Sequence, residues 1–361
     1  MFHKMEKNNM TTSIKATISI NKKNLVYSIR KDKNIVQSSI EEGIKLPYSC
    51  RSGVCGTCKV KLTKGKISKE NSINYVLTEK DRKNNIFLAC QSKAITDNIE
   101  IDLLSPLPIQ SSLYKSMSPK KLIAEVVISR QISSLVKEVG MSISKNSNFL
   151  YEAGMNMEFV IPDISPNREY SIIDAPNKSG APPNGILRFL VACHKNSKAS
   201  NYIKEQINVG DIITIFGPFG NFSLPAKKNK PILALSAGTG ISPILSLLQE
   251  RVKNKVSKQI MLVSSFRKRN EVLLMDEIEK LSYKEELFSY KITLTREKAK
   301  NETRFLYGRI PSIINKIYSN LKEHIILIAG SPQFVEDCSK KVLILGAKQK
   351  NIFIDSFNYK S

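Results

Sequence analysis

The chain reads as a multidomain protein: a small α+β domain over 12–105, an antiparallel β-barrel over 121–227 and an α/β domain with a parallel sheet over 228–361, with 106–120 as a linker. Three observations predict this order. Cysteines crowd a short loop in the first hundred residues, strand patterns with few helices fill 122–225, and beyond Lys230 continuous apolar strands alternate with amphipathic helices. A length of 361 residues with 41% hydrophobic content is enough for several cores.

Taken in order, ATISI (16–20) and LVYSI (25–29) alternate polar and apolar residues as half-buried strands do, with a polar turn at 21–24 between them. A short helix, VQSSIEEG, feeds the cysteine loop. KVKLTKGKI is expected to form a hairpin turning at Gly65, and NIEIDL to close the sheet. This layout resembles the ferredoxin-like (beta-grasp) fold. The Ser- and Pro-rich SPLPIQSSLYKSMSPKK then separates two strand patterns as an interdomain linker. LIAEVVIS, MEFVIP, YSIID, ILRFLVAC and DIITIF are the strands of the small barrel. PILALSAG, QIMLVSS, KITLT, HIILIAG and IFIDSF are the strands of the last domain, with helices from Ser242, over 271–281, after Arg309 and through Cys338. Uninterrupted apolar strands alternating with helices imply a parallel sheet covered on both faces.

Cys50, Cys55 and Cys58 followed, after 31 residues, by Cys90 give CxxxxCxxC and a distant fourth thiol. That is the plant-type [2Fe-2S] ligand spacing. Ser49, Ser52, Gly53, Gly56 and Thr57 are the small residues a tight loop needs to turn its amides toward sulfur. Structural zinc draws its ligands from two close pairs, which this spacing lacks, and disulfides call for an oxidising compartment to which nothing in the sequence points. Cys193 and Cys338, in a predicted strand and a predicted helix, read as small buried apolar residues.

The N-terminus has no apolar stretch after its charges, and no apolar run reaches the roughly 20 residues of a bilayer span, so a cytoplasmic protein with no membrane partner is expected. The net charge of +24 is spread over every segment, which favours a solvated basic surface over docking to an acidic protein and argues against nucleic acid. His3, His194 and His324 are isolated, so a histidine metal site or catalytic triad is not expected.

Ser236-Ala237-Gly238-Thr239-Gly240-Ile241-Ser242-Pro243 is a glycine turn leading into a helix, whose free amides suit a pyrophosphate; glycines also serve plain strand-to-helix geometry. Arg168-Glu169-Tyr170-Ser171 follows a turn and offers a cation, a ring and a hydroxyl to a flavin; alone it also reads as a strand with an exposed charge. Together with the cysteines, these motifs resemble the ferredoxin-NADP reductase superfamily over about 14–358, in the branch with an N-terminal plant-type ferredoxin. Phenol hydroxylase reductase and the CDP-6-deoxy-delta-3,4-glucoseen reductase-like proteins belong to that branch.

The resemblance implies site residues. Arg168, Tyr170 and Ser171 match the flavin signature RxYS, and Ser200 with Asn201 the helix start at the FAD pyrophosphate. Gly217, Pro218, Gly220 and Phe222 match GPxGxF; Gly238, Thr239, Gly240 and Pro243 match GTGxxP. Gly330, Ser331 and Pro332 match the late CGxP loop, and Asp355-Ser356-Phe357 the terminal acidic-x-Phe. Tyr170, Ser171 and Phe357 are thereby implied to be catalytic, the last through an aromatic ring near the flavin. Departures are Ala329 for the frequent cysteine, Asn196-Ser197 for a GG pair, Ala192 for an arginine and Met155-Asn156 in place of QY. Arg267, Thr295 and Arg296 are candidate contacts to the nucleotide, where arginine favours NADP, while the domain order favours NADH over NADPH.

These assignments imply a relay from NAD(P)H to FAD to the [2Fe-2S] cluster to an outside acceptor, with the protein setting distances and electrostatics. A cluster near about −400 mV suits an oxygenase or another iron-sulfur enzyme as acceptor. The CDP-6-deoxy-delta-3,4-glucoseen reductase-like reading is preferred on LPYSCRSGVCGTC and IDSF, with an oxygenase reductase component as the alternative. A non-catalytic interaction protein is the alternative of another class, and a monomer is expected.

Overall fold

The computed structural model describes residues 13–20, 23–30, 32–41, 46–48, 53, 56–68, 76–104, 119–164, 167–193, 197–220, 222–225, 229–254, 258–298 and 305–357. It divides into two compact units, Met1–Gln110 and Ser111–Ser361.

The first unit holds β1 (Ser13–Ile20), β2 (Lys23–Arg30), α1 (Ile35–Glu41), β3 (Lys59–Lys64), α2 (Glu79–Lys83), β4 (Ile86–Leu88) and β5 (Asn98–Leu103), with sheet order β2-β1-β5-β3-β4. β1 runs parallel to β5, and the other pairs are antiparallel. Two sequence expectations fail here. NIEIDL does not close the sheet but forms its central strand, because Ile99 and Ile101 are fully buried and both edges of β5 are paired. The hairpin at Gly65 does not form: β3 pairs with β4 and β5, while Ile67 meets Ala94 in an isolated bridge. Helix α2 is short but well started, since the Thr78 hydroxyl accepts from Asp81 N and the Asp81 carboxylate accepts from Thr78 N.

The second unit holds two sheets. β6 (Lys120–Ser133), β7 (Val136–Ile143), β8 (Asn156–Val160), β9 (Arg168–Ser171), β10 (Ile186–Ala192) and β11 (Ile212–Phe219) form an antiparallel sheet ordered β10-β7-β6-β11-β8-β9. An Ile172–Phe189 bridge brings its two ends together, and α3 (Lys198–Gln206) follows β10. In β6, Leu122, Ala124 and Val126 are buried while Lys121, Ile123 and Glu125 are exposed, the alternation of a one-sided strand. Strand β7 was absent from the sequence reading because its polar residues, Lys137 and Glu138, point into the protein and break that alternation.

The second sheet is wholly parallel: β12 (Ile232–Ala237), β13 (Ile260–Phe266), β14 (Phe288–Leu294), β15 (Phe305–Tyr307), β16 (Ile325–Gly330) and β17 (Ile352–Ser356), in the order β15-β14-β13-β12-β16-β17. Helices α4 (Ile241–Lys253), α5 (Met275–Lys284), α6 (Ile310–Ile313) and α7 (Pro332–Ile344) connect it. Its core runs on into the barrel, where Val136, Ala153, Ile173, Leu190 and Phe222 pack in one cluster with Ile244, Leu247 and Leu248 of α4.

Candidate functional site

In the first unit, Cys58 precedes β3 and Cys90 follows β4, and antiparallel pairing of these strands brings the two thiols together. Their sulfurs are 3.2 Å apart, with both residues almost fully buried. That gap exceeds the about 2.05 Å of a disulfide bond, so the thiols are unbonded neighbours that a shift of about half an ångström would bring to the roughly 3.8 Å of two thiolates on one tetrahedral metal with bonds of about 2.3 Å. Cys50 and Cys55 lie outside the described residues. Gly53 is at φ +82°, and a Cβ there would lie 2.9 Å from Gln91 Cγ, so the loop packs too closely for a side chain. Gln91 Nε2 donates to Cys90 O at 3.1 Å and lies 3.5 Å from Cys90 Sγ, a polar partner for a thiolate. Lys59 Nζ meets Asp81 at 2.8 Å, and that hydrogen bond holds the Asp81 carboxyl below the usual carboxylate range. The two described thiols therefore fit a sulfur-bound metal cluster.

In the barrel, Arg168, Tyr170 and Ser171 share β9 and pair with β8, Tyr170 opposite Met157 and Ser171 opposite Asn156. The Tyr170 ring packs on Phe159 with centroids 4.6 Å apart, and burial pushes its phenol well above the ordinary value, so it stays neutral. Asn156 Oδ1 is buried with no hydrogen-bond partner among the described residues, an acceptor left open beside Ser171 on the β8–β9 pair. Helix α3 starts at Ser197, whose hydroxyl accepts from Ser200 N at 3.3 Å, while Ser200 Oγ donates to Ala192 O at 3.0 Å. Asn201 N donates to Ser197 O within the same first turn. The far end of this helix is pinned by Lys137, whose buried ammonium donates to Ile203 O, Lys204 O and Ile207 O at 3.0, 3.0 and 2.7 Å. The open acceptor of Asn156 fits a ligand that brings an N–H donor, as the edge of a flavin ring does.

In the parallel sheet, chain order reverses between β12 and β16, the topological switch at which such folds bind nucleotides. Gly238, Thr239 and Gly240 lie at the carboxyl end of β12, with Pro243 in the first turn of α4. Gly330, Ser331 and Pro332 lie at the carboxyl end of β16, with Ser331 capping α7 through Phe334 N. The two turns touch: a Cβ on Gly240 would sit 2.2 Å from Ala329 O, so only glycine fits. Ala329 is fully buried, between Ser236 and Asp355 in the sheet. Phe357 reaches the same edge, its N–H donating to Gly330 O at 2.9 Å. Ser242 Oγ and Ser356 Oγ, at the start of α4 and the end of β17, are buried and have no hydrogen-bond partner among the described residues.

Arg267, Thr295 and Arg296 gather beyond β13 and β14, where Thr295 N donates to Phe266 O at 3.0 Å and Arg296 N to Arg267 O at 2.9 Å. An open depression beside them is lined by Lys268, Arg269, Asn270, Glu297 and Lys298. Arg269 N donates to Glu297 Oε1 at 2.6 Å, and its guanidinium lies 4.9 Å from the Phe305 ring centre. Glu297, Lys298 and Phe305 were missed in the sequence because they carry no motif; the basic run at 267–269 was the one signal. Cys193 and Cys338 are buried, and burial raises both thiols, as expected for inert core residues.

Residues 18–94 match the family described as 2Fe-2S iron-sulfur cluster binding domain, and residues 234–340 the family described as Oxidoreductase NAD-binding domain. The chain is 25% identical over 343 residues to a reductase component of terephthalate 1,2-dioxygenase from Comamonas sp, covering 94% of this chain and 96% of that one. It is 23% identical to the phenol hydroxylase P5 protein of Acinetobacter pittii (strain PHEA-2), covering 91% and 90% of the two chains. The fold is similar to that of the Amycolatopsis cytochrome P450 reductase GcoB, with a TM-score of 0.76 at 18% identity over 94% of this chain and 98% of the other. Among the described residues no helix is long and apolar enough to cross a membrane.

Proposed function

We infer that the chain is an NAD(P)H-dependent flavin and iron-sulfur reductase of the ferredoxin-NADP reductase superfamily, passing electrons from NAD(P)H to FAD to a [2Fe-2S] cluster and on to an acceptor protein. The observation that carries this reading is one chain that joins a 2Fe-2S domain to an NAD-binding domain built on a switch-point crevice. When bound, the nicotinamide supplies hydride, the flavin divides the electron pair, and the cluster accepts electrons one at a time.

The protein's part is to hold and orient. Cys50, Cys55, Cys58 and Cys90 are the cluster ligands, supported by the closeness of the two described thiols. Arg168 would hold a flavin phosphate, Tyr170 the ring system and Ser171 its edge through a hydrogen bond, and the start of α3 at Ser200 and Asn201 would hold the pyrophosphate. Gly238–Gly240 with Pro243, and Gly330–Pro332, would form the two walls of the nucleotide crevice, and Phe357, whose backbone is bonded to Gly330, would supply the aromatic ring near the flavin.

The acceptor is an oxygenase component, since the relatives named above serve such enzymes. The deoxysugar-pathway preference finds no counterpart among them. A second reading, NADPH in place of NADH, is favoured by one observation: Arg267, Lys268, Arg269, Arg296 and Lys298 crowd the ends of β13 and β14, where Glu297 is engaged by Arg269. Anaerobic titration of the purified protein with NADH and separately with NADPH, following flavin bleaching and cluster absorbance, tests the relay and the choice of nucleotide. Bleaching followed by cluster reduction is expected; a colourless protein, or one that neither nucleotide bleaches, overturns the reading.

A further inference from the structure

Strand β9 carries Arg168, Tyr170 and Ser171, and α4 begins at the turn Gly238–Gly240, so these two elements carry the proposed flavin and nucleotide seats. Three residues past Ser171 the chain reaches Asp174, and there it is tied to the parallel-sheet half at several points. Ser246 Oγ of α4 donates to Asp174 O at 3.1 Å, and Ala175 N donates to Gln249 Oε1 at 2.8 Å. Lys253 Nζ donates to Pro176 O at 3.2 Å, one turn further along the same helix. Gly154 N, two residues before β8, also donates to Ser246 Oγ, at 3.4 Å.

Beside this row lies Arg188 of β10. Its Nε donates to Glu138 at 2.8 Å, one terminal nitrogen to Asp174 at 3.2 Å, and the other to Glu277 of α5 at 2.7 Å. Glu138 is 1% exposed and also accepts from Arg130 at 2.6 Å. One guanidinium therefore joins two barrel strands, the segment after β9 and a helix of the other sheet. Nothing in strand geometry requires a half-buried arginine ringed by three carboxylates, one of them the fully buried Glu138, an arrangement that costs desolvation and offers little net stability. A directional network of this kind specifies relative position, because each bond is satisfied at a single arrangement of the two halves.

We propose that Arg188, Glu277, Ser246 and Gln249 form a latch that fixes α4 and α5 against the segment after β9, and that this positioning sets the rate of flavin reduction by NAD(P)H. In that step the dihydronicotinamide loses a hydride, two electrons with one proton, and the flavin gains it. The inference rests on the functional reading above. Glu277 and Gln249 are positioning residues: they touch protein partners, and a displacement of about 1 Å is enough to slow such a transfer on the order of a hundredfold.

The test uses the full-length protein loaded with flavin and cluster, as wild type, Glu277→Ala, Gln249→Ala and Gln249→Glu, with Glu336→Ala as a control that breaks the Lys340–Glu336 pair on α7. Stopped-flow measurement should give limiting rates of flavin bleaching at least about tenfold lower in both alanine variants. Apparent affinity for the nucleotide and melting temperature should be little changed, Gln249→Glu should recover the rate by keeping its acceptor oxygen, and the control should match wild type. Without any nucleotide, the Ala175 amide should exchange hydrogen faster in Gln249→Ala. Alanine variants that bleach at the wild-type rate overturn the latch, whatever their amide exchange, and leave the relay standing. A wild type that neither nucleotide bleaches overturns both.

Discussion

At the scale of single residues, the chemistry concentrates in atoms whose surroundings remove alternatives. Cys58 and Cys90 are buried at 3.2 Å, so a serine at either position puts a harder oxygen donor where a cluster needs thiolate. Cys90→Ser should abolish the visible absorbance and the reduced-state paramagnetic signal of the cluster while flavin content is kept; Cys338→Ser, in a helix core, should change neither. His324 offers a different test. Its Nδ1 is buried with no hydrogen-bond partner among the described residues, and burial lowers its pKa from the ordinary 6.5, with Glu323 opposing. The unfolded chain then takes up the proton first as pH falls below about 6.5, so this contribution is complete above that value and is lost below it. Melting curves between pH 7.5 and 5 should accordingly be flatter for His324→Phe than for wild type.

At the scale of elements, the glycine turn before α4 is both nucleotide seat and packing joint. A Cβ at Gly240 meets the carbonyl of Ala329 at 2.2 Å, and that carbonyl belongs to a central strand that cannot retreat. Gly240→Ala should therefore destabilise the protein by about 1–3 kcal/mol and abolish nucleotide binding, as calorimetry and NAD(P)H titration would register; unchanged binding would contradict the crevice. Strand β7 teaches the opposite lesson. Its Lys137 and Glu138 look like solvent-facing residues in the sequence, yet each is buried because a helix end supplies three carbonyls to one and two arginines pair the other. The helix end and Arg188 are both 50 or more residues away, so a pattern-based reading has no access to them.

At the scale of the whole molecule, three sheets form two compact units, because the barrel and the parallel sheet share apolar core. Phe222 illustrates this: it follows the last barrel strand, is 3% exposed, and packs in the cluster of the parallel sheet. Phe222→Ala should cost about 3–5 kcal/mol and lower the unfolding temperature of both sheets together. Two separated transitions within 119–357 would count against a common core.

The 2Fe-2S domain, the glycine turns, the order of the sheets and the relay they imply were legible in the chain, because cysteine spacing and strand-to-helix turns are properties of short segments. Tertiary structure alone decided which strands adjoin: that β5 is central, that β3 pairs with β4 and that the turns after β12 and β16 face each other. It also decided that Arg188, Asp174 and Glu277 meet. These are pairings between residues many positions apart, chosen by burial of apolar surface and satisfaction of buried charge, and no local pattern encodes them.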